Sequence, residues 1–327
     1  MNKLYPLKFS PIVKEKIWGG KKLKNVLNKR YAGDNTGECW EISTVKDNIS
    51  VVSEGFLAGN NLQELIEVYM GDLVGDKVFE KFGLEFPLLI KFIDATDVLS
   101  IQVHPDDELA KKRHKAFGKT EMWYVVQADE GAELISGFNR EMDKETYLTH
   151  LENNTLPEIL NNEKVKAGDV FYLPSGRVHA IGAGILLAEI QQTSDITYRI
   201  FDWNRKGADG KPRELHTDLA LDAIDYKYYG KYRTDYEAEK NESTNLVNCQ
   251  YFTTNIFEID QVIEKDWIAT DSFVIYMCLE GKAELEYDEE DRVEIEAGDT
   301  LLVPAAIDHL KYIPRKYAKL LEVYIDY

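Results

Sequence analysis

Cysteine is scarce in this sequence. Cys39, Cys249 and Cys278 lie far apart, without the short spacings of a zinc finger or a redox pair, and an odd count excludes a framework in which every cysteine is paired. They read as buried thiols. Long apolar runs are missing too. Stretches such as residues 87–90 and 184–188 fall far short of the roughly 20 residues that span a bilayer. Residues 1–16 carry lysines but no apolar segment of signal-peptide length. The expectation is a soluble, cytoplasmic protein with no membrane partner. Positive charge is in deficit: 39 Lys and Arg against 58 Asp and Glu give a formal net charge of −19. Nucleic acids and anionic membrane surfaces both need a basic footprint and are disfavoured as partners. An anionic substrate would need a local cluster of Lys or Arg within the acidic envelope. A monomer or a weak homo-oligomer is compatible with that surface.

What is present is a chain of short β-type segments. Residues 1–58 read as strands and turns, and residues 60–82 place Leu62, Leu65, Ile66, Tyr69 and Met70 at helical spacing behind Asn61 as N-cap. Residues 1–85 are thus expected to form strands and a helical segment packed on a first barrel-like unit, residues 86–205. Residues 138–163 interrupt the strand pattern with helical stretches at 143–152 and 156–160 and look inserted. A repeat supports this reading. Ala167-Gly-Asp and Ala297-Gly-Asp, Pro174 and Pro304, and His179 and His309 recur at one fixed separation, with the first copy the longer. A second unit is expected over residues 245–327, joined by a polar connector at 206–244.

Within the first unit Gln102 and His104 sit two apart in a strand-like run, as do Lys119 and Glu121, so each pair projects from one sheet face. With His179 they supply two imidazoles, a carboxylate and an amide oxygen, a plausible shell for zinc or a neighbouring divalent metal. His114 reads as a surface residue and His309 as structural. Lys91, alone in an apolar strand, either reaches water or points into a cavity. In a continuous strand Asp195, Thr197 and Arg199 would share one face, and Ser100 would share one with Gln102 and His104.

Gly168, Pro174, Gly176 and His179 reproduce the spacing of the second cupin motif, with Ala183 where the motif's final Asn usually stands. The chain resembles the cupins here. Leu99-Ser-Ile-Gln-Val-His-Pro105, Gly118-Lys-Thr-Glu-Met-Trp123 and the Arg199 segment together resemble the type I mannose-6-phosphate isomerases, in particular their short bacterial form, over most of residues 1–205. The resemblance implies a mainly β fold of two cupin-like β-barrels of jelly-roll type, the second degenerate, with a few inserted helices. It implies one zinc per chain, or another divalent metal, held by Gln102, His104, Glu121 and His179 plus water, with Arg199 in the active site. The implied reaction interconverts mannose 6-phosphate and fructose 6-phosphate through an enediol. A dication beside Lys119 would disfavour its charged form and suit it to proton transfer, with Asp195 as the competing base. Arg199 and Lys91 are candidates for phosphate or oxyanion contacts, and Ser100 for a substrate hydroxyl. Two rival readings are a cupin oxygenase, since two His and a carboxylate also form an iron-binding triad, and a non-catalytic sugar-binding cupin.

Overall fold

The computed structural model describes residues 3–207, 210–288 and 291–326; Asp209, expected to open a turn in the connector, lies outside them. Two sheets form the first unit. The larger runs in the order Arg233–Thr234, Val170–Leu173, Glu121–Ala128, Ile185–Gln192, Leu88–Ala95, Thr36–Ile42 and Ile12–Gly20. The smaller runs Leu160–Lys164, Glu133–Phe138, His179–Ala180, Ile101–Val103 and Tyr198–Phe201.

Period-two alternation decides what each sheet presents. In the smaller sheet Ile101, Val103, Ile135, Ala180, Tyr198 and Ile200 pack outward against Tyr147 of the helix Lys144–Glu152. Gln102, His179 and Arg199 therefore face inward. In the larger sheet Leu88, Ile90, Phe92, Met122 and Ala188 enter the core shared with the second unit, and Ile93, Trp123, Val125 and Leu187 meet Leu134 of the smaller sheet. The metal candidates and the polar row of Lys91 and Glu189 thus lie between two facing sheets. The sheets form a double-layered jelly roll, and among the described residues no hydrogen-bonded ladder closes them into a barrel.

The second unit is a nine-stranded sheet built on two long strands, Val274–Asp288 and His309–Tyr324. Val274–Asp288 pairs with Thr300–Val303 over its first part and with Asp291–Glu296 over its last. The ladder shifts register around Gly281, whose φ of +76° and lack of a side chain let the strand bend where a Cβ would strike the Tyr317 carbonyl oxygen. Leu7–Ser10 pairs with Thr300–Val303, so the outer layer expected of residues 1–58 is divided: its first strand belongs to the second sheet, and Ile12–Gly20 and Thr36–Ile42 to the first.

Helical expectations hold where caps are explicit. Asn61 and Glu64 form a reciprocal capping box at the start of Leu62–Tyr69. In the insertion Asp143 caps Lys144–Glu152, but only Leu156–Ile159 continues as a 3-10 turn, and Leu160–Lys164 returns to the sheet as the partner of Glu133–Phe138. No helix among the described residues is long and apolar enough to cross a membrane.

Candidate metal centre and active site

One row of the smaller sheet carries much of the site. Ser136 stands opposite His179, His179 opposite Gln102, and Gln102 opposite Arg199. Residues opposite each other in antiparallel strands share a face, so four polar side chains converge from four strands. From the facing sheet comes Glu121, in register with Gln191. His104 follows directly after the strand Ile101–Val103.

His104, Glu121 and His179 are at most 1% exposed, and their ligand atoms lie within 4.8 Å of one another. His104 Nδ1 donates to the Ile196 carbonyl and His179 Nδ1 to the Arg177 carbonyl, both at 2.8 Å. A carbonyl oxygen only accepts, which fixes the proton on Nδ1 and leaves both Nε2 lone pairs turned toward Glu121. His179 Nε2 lies 3.3 Å from Glu121 Oε1, and His104 Nε2 lies 3.6 Å from Oε2. Burial is the largest cause holding both imidazoles neutral, His104 well below its usual range and His179 down to about 4. Lys119 donates to Glu121 Oε2 at 2.6 Å and to His104 Nε2 at 3.2 Å. The Gln102 amide sits 3.2 Å from His179 Nε2, and a half turn of that amide presents its oxygen to the same point. Burial, then the Glu189 carboxylate, raises Glu121 above the ordinary carboxylate range.

The residues fit a divalent cation on one observation. Among the described residues Glu121 Oε1 is buried and has no hydrogen-bond partner, and Gln191 Oε1, Ser136 Oγ and Arg199 Nε are likewise buried and unpartnered. Orphaned acceptors beside two neutral imidazoles are a donor set that lacks its acid.

The remaining predicted residues divide. Ser100 is buried next to the strand that holds Gln102. Arg199 is half-buried and donates to the Glu214 carbonyl at 2.9 Å. Burial and then Arg213 lower its proton affinity, with Arg205 and Asp202 also close. Arg205 and Arg213 are themselves bonded to Asp202. Asp195 is exposed on the rim of a cleft of about 1000 Å³. The strand begins only at Tyr198, so the continuous face expected for Asp195, Thr197 and Arg199 does not form. The Gln191 amide donates to the Ser194 carbonyl at 2.6 Å and holds the preceding segment in a bend.

Lys91, expected either to reach water or to point into a cavity, lies in a buried ion pair. It is buried, 2.8 Å from Glu189 Oε1 and over the Trp40 ring, while Trp123 donates to Glu189 Oε2 at 2.8 Å. Burial opposes its charge, but Glu189 and then Glu38 keep it protonated. Glu189, which the sequence reading missed, is held below the usual carboxylate range against its burial by Lys91 and then Lys119. Lys91→Ala leaves that carboxylate buried and unpaired and should destabilise the protein by about 3–5 kcal/mol in urea unfolding. A lysine that served a phosphate would instead raise KM at unchanged stability. His309 is exposed and paired with Asp266 at 2.8 Å, and His114 is exposed and bonded to Tyr198; neither approaches the centre.

Comparison with known proteins agrees with this geometry. The family model for the phosphomannose isomerase type I catalytic domain matches residues 6–134, and that for the mannose-6-phosphate isomerase cupin domain matches residues 242–312. The chain is 36% identical over 312 residues to the mannose-6-phosphate isomerase ManA of Bacillus subtilis, covering 94% of this chain and 95% of that protein. It is 36% identical over 306 residues to the mannose-6-phosphate isomerase of Streptococcus mutans, covering 92% and 93%. The crystal structure of the Bacillus subtilis mannose 6-phosphate isomerase superposes with a TM-score of 0.88 at 33% identity, covering 98% of this chain and 100% of that one. With the buried His104, Glu121 and His179 cluster in place, the chain belongs to the type I phosphomannose isomerases.

Proposed function

We infer that the protein is a metal-dependent aldose-ketose isomerase that interconverts mannose 6-phosphate and fructose 6-phosphate. Beyond family membership, the supporting observation is the set of orphaned buried polar atoms around His104 and His179, with Lys119 Nζ among them. Gln102, His104, Glu121 and His179 would hold one zinc per chain, a nitrogen and oxygen donor set that also accepts other first-row divalent ions. When bound, the ion supplies Lewis-acid polarisation of the substrate's oxygens.

The reaction needs little else. After ring opening, the proton on C2 moves to C1 and the hydroxyl proton on O2 moves to O1, with an enediol between. Lys119 is the group placed to carry the carbon-bound proton, since its Nζ is anchored at the centre while Asp195 stays at the cleft rim. Asp195 and Ser100 are assigned to substrate hydroxyls. Arg199, from the same sheet row as Gln102, serves the phosphate or the developing oxyanion through its planar donors. Trp123, edge-on to the His179 ring, keeps water from that side. The phosphorylated substrate supports a cytoplasmic setting.

The test follows the two sugar phosphates directly by NMR under anaerobic conditions. Approach to one equilibrium mixture from either side is expected. Binding without interconversion would favour the sugar-binding reading, and turnover that requires oxygen would favour the oxygenase.

A further inference from the structure

The second unit has no metal cluster among the described residues, yet it bonds Asp107, a partner of the segment that carries Lys119. Just before the strand Glu121–Ala128, three consecutive backbone amides are each held by a different partner. Gly118 N donates to Asp107 Oδ1 at 2.8 Å, Lys119 N to the Pro105 carbonyl at 3.1 Å, and Thr120 N to Gln192 Oε1 at 2.9 Å. The other end of the Gln192 side chain donates to the same Asp107 Oδ1 at 3.0 Å. One carboxylate oxygen therefore fixes residue 118 directly and residue 120 through Gln192, on either side of the lysine.

The second oxygen of that carboxylate belongs to the other unit. Tyr251 OH donates to Asp107 Oδ2 at 2.9 Å across a sequence separation of 144 residues. Tyr251 stands in the tight turn between Ser243–Asn248 and Thr253–Ile259, where Cys249 N donates to the Phe252 carbonyl. Gly118 cannot acquire a side chain, because a Cβ there would meet Asp107 N at 2.6 Å, so the contact between the loop and the helix Asp107–His114 is close-packed. Asp107 is at the first position of that helix, whose cap is supplied separately by Asp106; its own carboxylate is left for these three donors.

We propose that Asp107 and Tyr251 are positioning residues: the second unit orients the Asp107 carboxylate through Tyr251, and Asp107 in turn fixes the backbone on both sides of Lys119. The inference rests on the isomerase reading for its kinetic consequence but not for its structural one. A metal-free cupin unit then acts on catalysis by holding the lysine in register with the centre. A small displacement of a reacting group is costly in rate while leaving affinity nearly intact.

Tyr251→Phe removes one hydroxyl and retains the ring. It should lower kcat about three- to ten-fold, the scale of one ordinary intramolecular hydrogen bond, with KM changed less than about two-fold and bound metal unchanged. Asp107→Asn should lower kcat further, and the double variant should be no worse than Asp107→Asn alone, because Tyr251 acts only through Asp107. Amide hydrogen exchange gives a readout independent of turnover: in Tyr251→Phe the backbone amides of Gly118 and Thr120 should exchange faster in a protein that is otherwise fully folded. Unchanged exchange at these amides overturns the inference, as does a kcat equal to that of the parent or a multiplicative loss in the double variant. If the parent protein itself fails to interconvert the two sugar phosphates, the isomerase reading falls, and the exchange experiment still decides whether the second unit orders this segment.

Discussion

Lys119→Ala lowers kcat for the interconversion of mannose 6-phosphate and fructose 6-phosphate by about 10²- to 10⁴-fold, the range supplied by a positioned proton-transfer group. The metal stays bound, since Gln102, His104, Glu121 and His179 all remain. Lys119 is the only candidate base that the structure brings into contact with the centre, 2.6 Å from Glu121 and 3.2 Å from His104, whereas Asp195 is exposed on the cleft rim. Steady-state kinetics on Lys119→Ala and Asp195→Asn, with metal measured on each sample, distinguish the two. A larger loss of kcat in Asp195→Asn than in Lys119→Ala would transfer the role to Asp195. A loss of metal from Lys119→Ala would make the lysine a support of the shell.

His179→Ala should weaken metal binding by more than about 100-fold, because loss of a partner behind a ligand alone costs 10- to 100-fold and here the ligand itself is removed. Its Nε2 faces Glu121 Oε1, a buried acceptor without a hydrogen-bond partner among the described residues. Activity should fall in proportion to the bound metal and return in part when metal is supplied in excess. Competition against a chelator measures the affinity, and circular dichroism establishes that the sheets persist. By contrast, His309→Ala should leave metal content untouched, since His309 is exposed and paired with Asp266. An equal loss of metal from both variants would contradict the assignment of the centre to the first unit.

The cluster of His104, Glu121 and His179 was legible because its residues lie in short motifs. Gln102 and His104 are two apart on one strand, Glu121 opens another, and the Gly168 to His179 turn sequence fixes its own geometry through glycine and proline. The repeat pointed to a second unit. What stayed hidden depends on partners distant in sequence. Lys91 was ambiguous because Glu189, 98 residues on, shows no local pattern of its own; only the ladder that places Glu189 opposite Lys91 resolves the choice. Asp195 and Arg199 read as one strand face because period two is a local signal, whereas the Gln191 amide bonds the backbone ahead of that strand and delays its start to Tyr198. The allocation of Leu7–Ser10 to the second sheet is a pairing across nearly the whole chain, and no spacing announces it. The contact of Tyr251 with Asp107 is of the same kind.

Removal and return of the metal on a single preparation tests the account most directly. Purified protein is assayed for interconversion of mannose 6-phosphate and fructose 6-phosphate, stripped with a chelator, assayed again, and reconstituted with zinc, with metal content determined at each stage. The account predicts turnover that disappears on stripping and returns as about one zinc per chain is restored, the stoichiometry of a single donor set. Full turnover by the stripped protein, or none in a sample carrying a full complement of metal, would contradict it.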